Sequence, residues 1–146
     1  MGTYTYKCDI GNFTIIADTP HSYISAKNMI MNKMESGLYS VDRSDLAALL
    51  KTMTNLKYFE HTYSNKRELI ELAYRLKKLA CQECTDANIN AIFHFTAPND
   101  LYIEDVTTFF EILSFNNLLW QVDYNNMSKQ PIILRMLYGP IASSIS

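Results

Sequence analysis

Tyr4-Thr5-Tyr6-Lys7-Cys8-Asp9-Ile10-Gly11-Asn12-Phe13-Thr14-Ile15-Ile16-Ala17 is the stretch on which the reading of the fold turns. Tyr4, Tyr6, Cys8 and Ile10 alternate with other residues, and Phe13, Ile15 and Ala17 do the same beyond Gly11-Asn12. A period of two sends alternate side chains to opposite faces of a strand, and a Gly-Asn pair tolerates the positive φ of a tight hairpin turn. The stretch predicts a β-hairpin turning at Gly11-Asn12. No other strand pair is as clear from patterning.

Outward from the hairpin the signals are mostly helical. Ser22 to Met34 follows Pro20 and places Tyr23, Ala26, Ile30 and Met34 on one face, with Gly37 as its stop. Leu38-Tyr39-Ser40-Val41 reads as a short strand. Asp42 or Ser44 then caps a helix whose Leu46, Leu49, Leu50 and Met53 keep the i, i+3, i+4, i+7 spacing. Asn65, with Glu68 three residues on, forms a capping box ahead of the stripe Leu69, Leu72, Ala73, Leu76 and Leu79. Asp86 is expected to cap a short helix burying Ile89, Ile92 and Phe93, and Asp105 to cap another burying Val106, Phe109, Phe110 and Leu113. Leu118, Leu119 and Trp120 follow that helix. Ile132 to Tyr138 is apolar and too short for periodicity to choose between strand and helix.

The 146 residues are 48% hydrophobic and 19% charged with a net charge of −2, which fits one packed domain over residues 1–146 and argues against disorder. Near-neutral charge and Glu residues interleaved among Lys66, Arg67, Arg75, Lys77 and Lys78 argue against nucleic acid as a partner. There is no secretory signal and no apolar run long enough to span a membrane, so the expected setting is soluble and cytoplasmic. An odd cysteine count agrees with a reducing compartment. Richness in Asn, Ile, Tyr and Met is that of an AT-rich genome, which suggests a viral protein acting in host cytoplasm or nucleus.

Catalytic signatures are missing. Cys81-Gln82-Glu83-Cys84 is the one C-x-x-C, but it ends a helix, where the dipole does not lower a thiol pKa. A zinc site needs four ligands, and only His94 lies nearby in sequence. These cysteines read as core residues, with a small enzyme or metal-binding protein using Cys81, Cys84 and His94 as the alternative. His94 between Phe93 and Phe95 reads as a core histidine. No nucleophile elbow or phosphate-binding loop occurs. No cofactor is expected, and the function expected is binding. Met29, Ile30, Met31 and Met34 fall within two turns and spread over more than one helical face, which suggests a self-association surface. Tyr58 and Phe59 join them as candidate protein-interface residues.

The order of elements resembles the BTB/POZ fold shared by elongin C and the Skp-type adaptors. Tyr6 to Ala17 matches that family's hairpin, Ser22 to Met34 its next helix, and Leu38 to Asp42 running into Leu46-Ala47-Ala48-Leu49-Leu50 its strand and central helix. Glu68-Leu69-Ile70-Glu71-Leu72-Ala73 with Leu76 is similar to its E-L-L-x-L-A helix, and Cys84 falls near a family cysteine. A second register also fits, with Phe93-His94-Phe95-Thr96 in place of the family's Y-x-Y-T. The resemblance covers roughly Tyr4 to Phe95, and the family's usual Asp and His at the start are missing. It implies an α+β fold, an N-terminal β-hairpin followed by a mainly helical bundle. It also implies an adaptor with a protein partner such as a cullin-type ligase component or host factor, and a homodimer through the methionine-rich helix. The competing expectation is an all-α bundle of the Bcl-2-like viral antagonist kind.

Overall fold

The computed structural model describes residues 2–8, 11–31, 43–83, 89–98, 102–115, 117–125 and 131–141. In chain order they form β1 (Gly2–Cys8), β2 (Gly11–Ala17), α1 (Pro20–Ile30), α2 (Arg43–Leu50), β3 (Leu56–Tyr63) and α3 (Lys66–Glu83). β4 (Ile89–Pro98), α4 (Ile103–Leu113), β5 (Asn117–Asn125) and β6 (Ile132–Pro140) follow. The strands make one six-stranded mixed sheet in the order β1-β2-β3-β6-β4-β5. β2 is parallel to β3, β4 is parallel to β5, and β6 is antiparallel to both β3 and β4. Hence β2, β3, β4 and β5 run one way, and β1 and β6 run the other.

This corrects the expected architecture. The hairpin is real, but a six-stranded sheet follows it rather than a mainly helical bundle, so the fold is neither BTB/POZ-like nor an all-α bundle. The residues expected to form a short helix after Asp86 are instead β4. Ile89, Ile92 and Phe93 satisfy a helical spacing, yet alternation continues through Phe95 and Ala97, which no short helix would bury on the same side. Pairing with β5 on one flank and β6 on the other makes β4 an interior strand. Leu118 to Trp120 lie in β5, and Ile132 to Tyr138 lie in β6. Tyr58 and Phe59 belong to β3. Leu38 to Val41 and Gly37 fall outside the described residues.

The hairpin closes two residues earlier than expected. Cys8 pairs with Gly11 and Gly2 with Ala17, so the connection is 9–10 and Gly11, at φ 146°, opens β2. A turn at Gly11-Asn12 would have paired only Ile10 to Tyr6 with Phe13 to Ala17. The observed register aligns the whole of both strands, and it keeps the same side chains on each face because the shift is even.

Helices cover both faces. On one, Leu69, Leu72, Ala73 and Leu76 of α3 and Val106, Phe109 and Leu113 of α4 pack on Tyr63, Phe93, Phe95, Val122, Leu134 and Met136. Phe93 and Phe95 meet Phe109 edge to face, at 5.7 and 5.8 Å between ring centroids. On the other, Ala26, Met29 and Ile30 of α1 and Leu46, Leu49 and Leu50 of α2 pack on Phe13, Ile15, Leu56, Ile92 and Leu137. The caps are local. Thr19 Oγ1 accepts from the Ser22 amide ahead of Pro20, and Asn65 Oδ1 accepts from the Glu68 amide while the Glu68 carboxylate accepts from the Ser64 amide. Asp105 is not the cap of α4 but sits in its first turn, where its carboxylate accepts from the Tyr102 amide. Among the described residues no helix is long and apolar enough to cross a membrane.

Candidate functional site

The registers order the α1/α2 face of the sheet into rows. Tyr58, Leu137, Ile92 and Leu119 stand side by side across β3, β6, β4 and β5, and this apolar row belongs to the core beneath α1 and α2. The next row is Glu60, Arg135, His94 and Gln121, and Thr62, Ile133, Thr96 and Asp123 come after it. The apolar face thus turns polar toward the C-terminal ends of β3, β4 and β5. Four side chains that are distant in sequence share one line because four strands share one register.

Those side chains are bonded to one another. His94 Nε2 lies 2.7 Å from Asp123 Oδ2, and Arg135 Nη1 lies 3.3 Å from His94 Nδ1 and 3.1 Å from Thr96 Oγ1. Arg135 Nε is 3.4 Å from Glu60 Oε1, which also accepts from the Tyr58 hydroxyl at 2.6 Å. Gln121 Nε2 donates to Asp123 Oδ1 at 3.3 Å. A guanidinium has only donors, so His94 Nδ1 must accept, and the ring proton sits on Nε2 and points to Asp123. His94 is 5% exposed. Burial holds its pKa below the ordinary histidine value, Asp123 opposes that shift, and the charge of Arg135 adds to it. Burial and the neighbouring Glu60 carboxylate raise the Tyr58 hydroxyl pKa.

What this cluster can do follows from its bonds. A histidine acting as general base needs one nitrogen held by an orienting group and the other open to the reacting proton. Here Asp123 holds one and Arg135 the other, so His94 bridges an acid and a base within the fold. Nearby, buried Asn90 donates to Thr52 Oγ1 at 2.7 Å and accepts from the Asn117 amide at 3.0 Å, tying the end of α2 to the start of β5. The open groove of about 310 Å³ beside them is lined by Asp45, Ala48, Leu49, Thr52, Asn117, Leu118 and Leu119. Asp45 is its one charged lining residue, with Thr52 and Asn117 as the polar ones.

A second feature is the β1 border of the sheet. β1 pairs with β2 over seven positions without a bulge, contains no proline, and has Lys7 as its one charged residue. Among the described residues no strand pairs with its outer edge. Thr3, Thr5 and Lys7 are exposed, and Tyr4, Tyr6 and Cys8 are half-buried. Tyr4 stacks on Tyr23 of α1 at 4.2 Å between centroids, and the Lys27 ammonium lies 5.8 Å from the Tyr6 ring and 5.0 Å from that of Tyr23.

Among the described residues, those expected to form an interface do not share a surface. Met29 and Ile30 are 4% and 0% exposed in the core under α1, so their side chains are turned inward. Met31, half-buried, follows the end of α1, and Met34 lies outside the described residues. Tyr58 and Phe59 point to opposite faces of β3, an interior strand. Cys81 is in the last turn of α3 and Cys84 lies outside the described residues. Among the described residues no three metal-ligating side chains converge. Sequence reading missed Glu60, Gln121, Asp123 and Arg135. The signal for one of them was present: Arg135 is the one charged residue in the otherwise apolar run of β6.

No protein-family model matches the chain, and no curated protein matches it. Solved structures do. A tryptophan-to-tyrosine mutant of FtsZ from M. jannaschii superposes with a TM-score of 0.59 at 14% identity, over 85% of this chain and 42% of that one. An empty FtsZ dimer from M. jannaschii gives 0.51 at 17% identity, over 78% of this chain and 35% of that one. The chain therefore spans about two-fifths or less of the FtsZ chains it matches. At these identities the likeness is one of fold, to part of an FtsZ chain and not to BTB/POZ proteins.

Proposed function

We propose that this chain is a non-catalytic protein-interaction module that works by adding a strand to the open edge of β1. The observation that carries this reading is the edge itself. Its outer row of backbone donors and acceptors meets no strand among the described residues, and natural sheets blunt such long, regular, unbulged edges unless they are used. Strand addition supplies main-chain hydrogen bonds for affinity and alternate side chains for specificity. Lys7 alone is a weak guard. The commitment of both His94 nitrogens supports the non-catalytic half of the reading. The cullin-type partner implied by the BTB/POZ resemblance loses its basis with that fold.

The test compares two variants of the full chain as bait for proteins in extract and for a tagged copy of itself. A partner retained by wild type and by His94→Gln, and lost by Thr5→Lys, supports the reading. A partner held equally well by Thr5→Lys contradicts it. So does a substrate turned over by wild type and not by His94→Gln.

A further inference from the structure

Resting on that reading, we infer that the occupant of the β1 edge is the β1 strand of a second copy, paired antiparallel about a two-fold axis through Thr5. The strand is complementary to itself in this register. Full overlap of Gly2–Cys8 with its own reverse sets Thr5 opposite Thr5 of the second copy, Tyr4 opposite its Tyr6, and Thr3 opposite its Lys7. Directly opposite residues share a face. The pairing therefore builds a ladder of four tyrosines on the α1 side and a Thr-Lys row on the other. Cross-strand aromatic pairs stabilise a sheet and like charges directly opposite oppose it, and here Lys7 meets threonine. Sliding the strands so that Lys7 meets Lys7 leaves fewer residues paired and brings the two ammonium groups together.

Among the described residues the surroundings admit a second copy. α1 packs on β2 and β3, so strands β2 and β1 and their two symmetry mates put the α1 supports three strand spacings apart. That is about 14 Å, more than the roughly 8–10 Å at which helices pack. The floor between them is the tyrosine ladder, continuous with the Tyr4–Tyr23 stack. The opposite border is less suited. On β5, Gln121 and Val122 are 3% and 0% exposed on opposite faces, so a strand added there would have to work its side chains beneath existing cover. Joining two β1 edges makes a continuous twelve-stranded sheet and, by two-fold symmetry, closes it. The joined surface is small, two strands and the rings beside them, so association is expected in the micromolar range.

Sedimentation equilibrium on the full chain tests this with substitutions at exposed β1 positions. Wild type is expected to reach twice the 16.8 kDa chain mass as concentration rises through micromolar values. Thr5→Lys sets like charges face to face and is expected to raise the dimer dissociation constant at least tenfold, as is Thr5→Glu. An equimolar mixture of the two is expected to dimerise again. Thr3→Glu, set opposite Lys7 of the second copy, is expected to tighten association severalfold. A folding defect cannot weaken each variant alone, restore the mixture and tighten Thr3→Glu. A chain that stays monomeric throughout overturns the inference, as does a dimer indifferent to Thr5→Lys. A monomeric wild type whose captured foreign partner is still lost with Thr5→Lys would refute the second copy and leave the strand-edge reading standing.

Discussion

His94 is held at both ring nitrogens, by Asp123 on one side and Arg135 on the other. Its neutral form fits the fold twice over, accepting from Arg135 on β6 and donating to Asp123 on β5, with Glu60 on β3 balancing Arg135 from behind. Protonation would turn Nδ1 into a donor facing a donor. The folded pKa therefore lies below the ordinary 6.5, and an unfolded chain takes up this proton first as pH falls. Stability from this group is fully present above about pH 6.5. It declines as pH drops through the interval between the unfolded and folded values. Urea unfolding at pH 7.5 and 5.5 should show a larger loss for wild type than for His94→Gln, whose amide can donate to one neighbour and accept from the other. Equal losses would mean His94 is not held neutral. Tyr63 gives a second prediction at this scale. Its hydroxyl is buried and has no hydrogen-bond partner among the described residues. Tyr63→Phe keeps the ring packing and removes a desolvated donor, so stability should stay level or rise by up to about 1–3 kcal/mol. A fall of that size in thermal or urea unfolding would reveal a partner for the hydroxyl. His94 was legible in the sequence as a core histidine between two phenylalanines. Its partners were not, because Asp123 and Arg135 lie 29 and 41 residues away and only strand register brings them together.

Individual elements were readable where local chemistry decides them. Alternation on both sides of the turn gave the hairpin, and the Asn65–Glu68 cap with its leucine stripe gave α3. β4 was misread because Ile89, Ile92 and Phe93 also satisfy helical spacing, and what selects the strand is pairing on both sides with segments far along the chain. β3 carries exposed Glu60, His61 and Thr62 at its C-terminal half, which dilutes any apolar pattern. Gly139 is an element-scale constraint that a sequence reader would assign to a turn. It lies within β6, and a methyl group there would sit inside the van der Waals radius of the Asn55 carbonyl oxygen. Here the segment after α2 crosses the strand end, with the Thr54 amide bonded to the Pro140 carbonyl and Met53 bridged to Ile141. Backbone cannot retreat as a flexible side chain can. Gly139→Ala is expected to lower stability by about 1–3 kcal/mol, the range for overpacking a filled site. An unchanged urea midpoint would show that the crossing segment is loosely held.

For the molecule as a whole, strand order lay beyond a sequence reading. Two neighbouring strand pairs, β2 with β3 and β4 with β5, are parallel and need crossovers, and β6 inserts between β3 and β4 after all the others have been made. Nothing local in Ile132 to Pro140 states that it will lie at the centre. Among the described residues the same order leaves β1 as a border, a position that hairpin patterning alone could not reveal. The central claim is that this border is where the chain meets a second copy of itself. Amide hydrogen exchange along Gly2–Cys8, followed residue by residue at low and high protein concentration, tests it most directly. In an antiparallel pair successive residues turn their amides to opposite sides. The amides bonded to β2 should be slow at both concentrations, and the alternate, outward-turned ones should slow only as concentration rises into the dimeric range. Outward amides that exchange fast at every concentration, while sedimentation reports a dimer, would place the contact elsewhere and contradict the account.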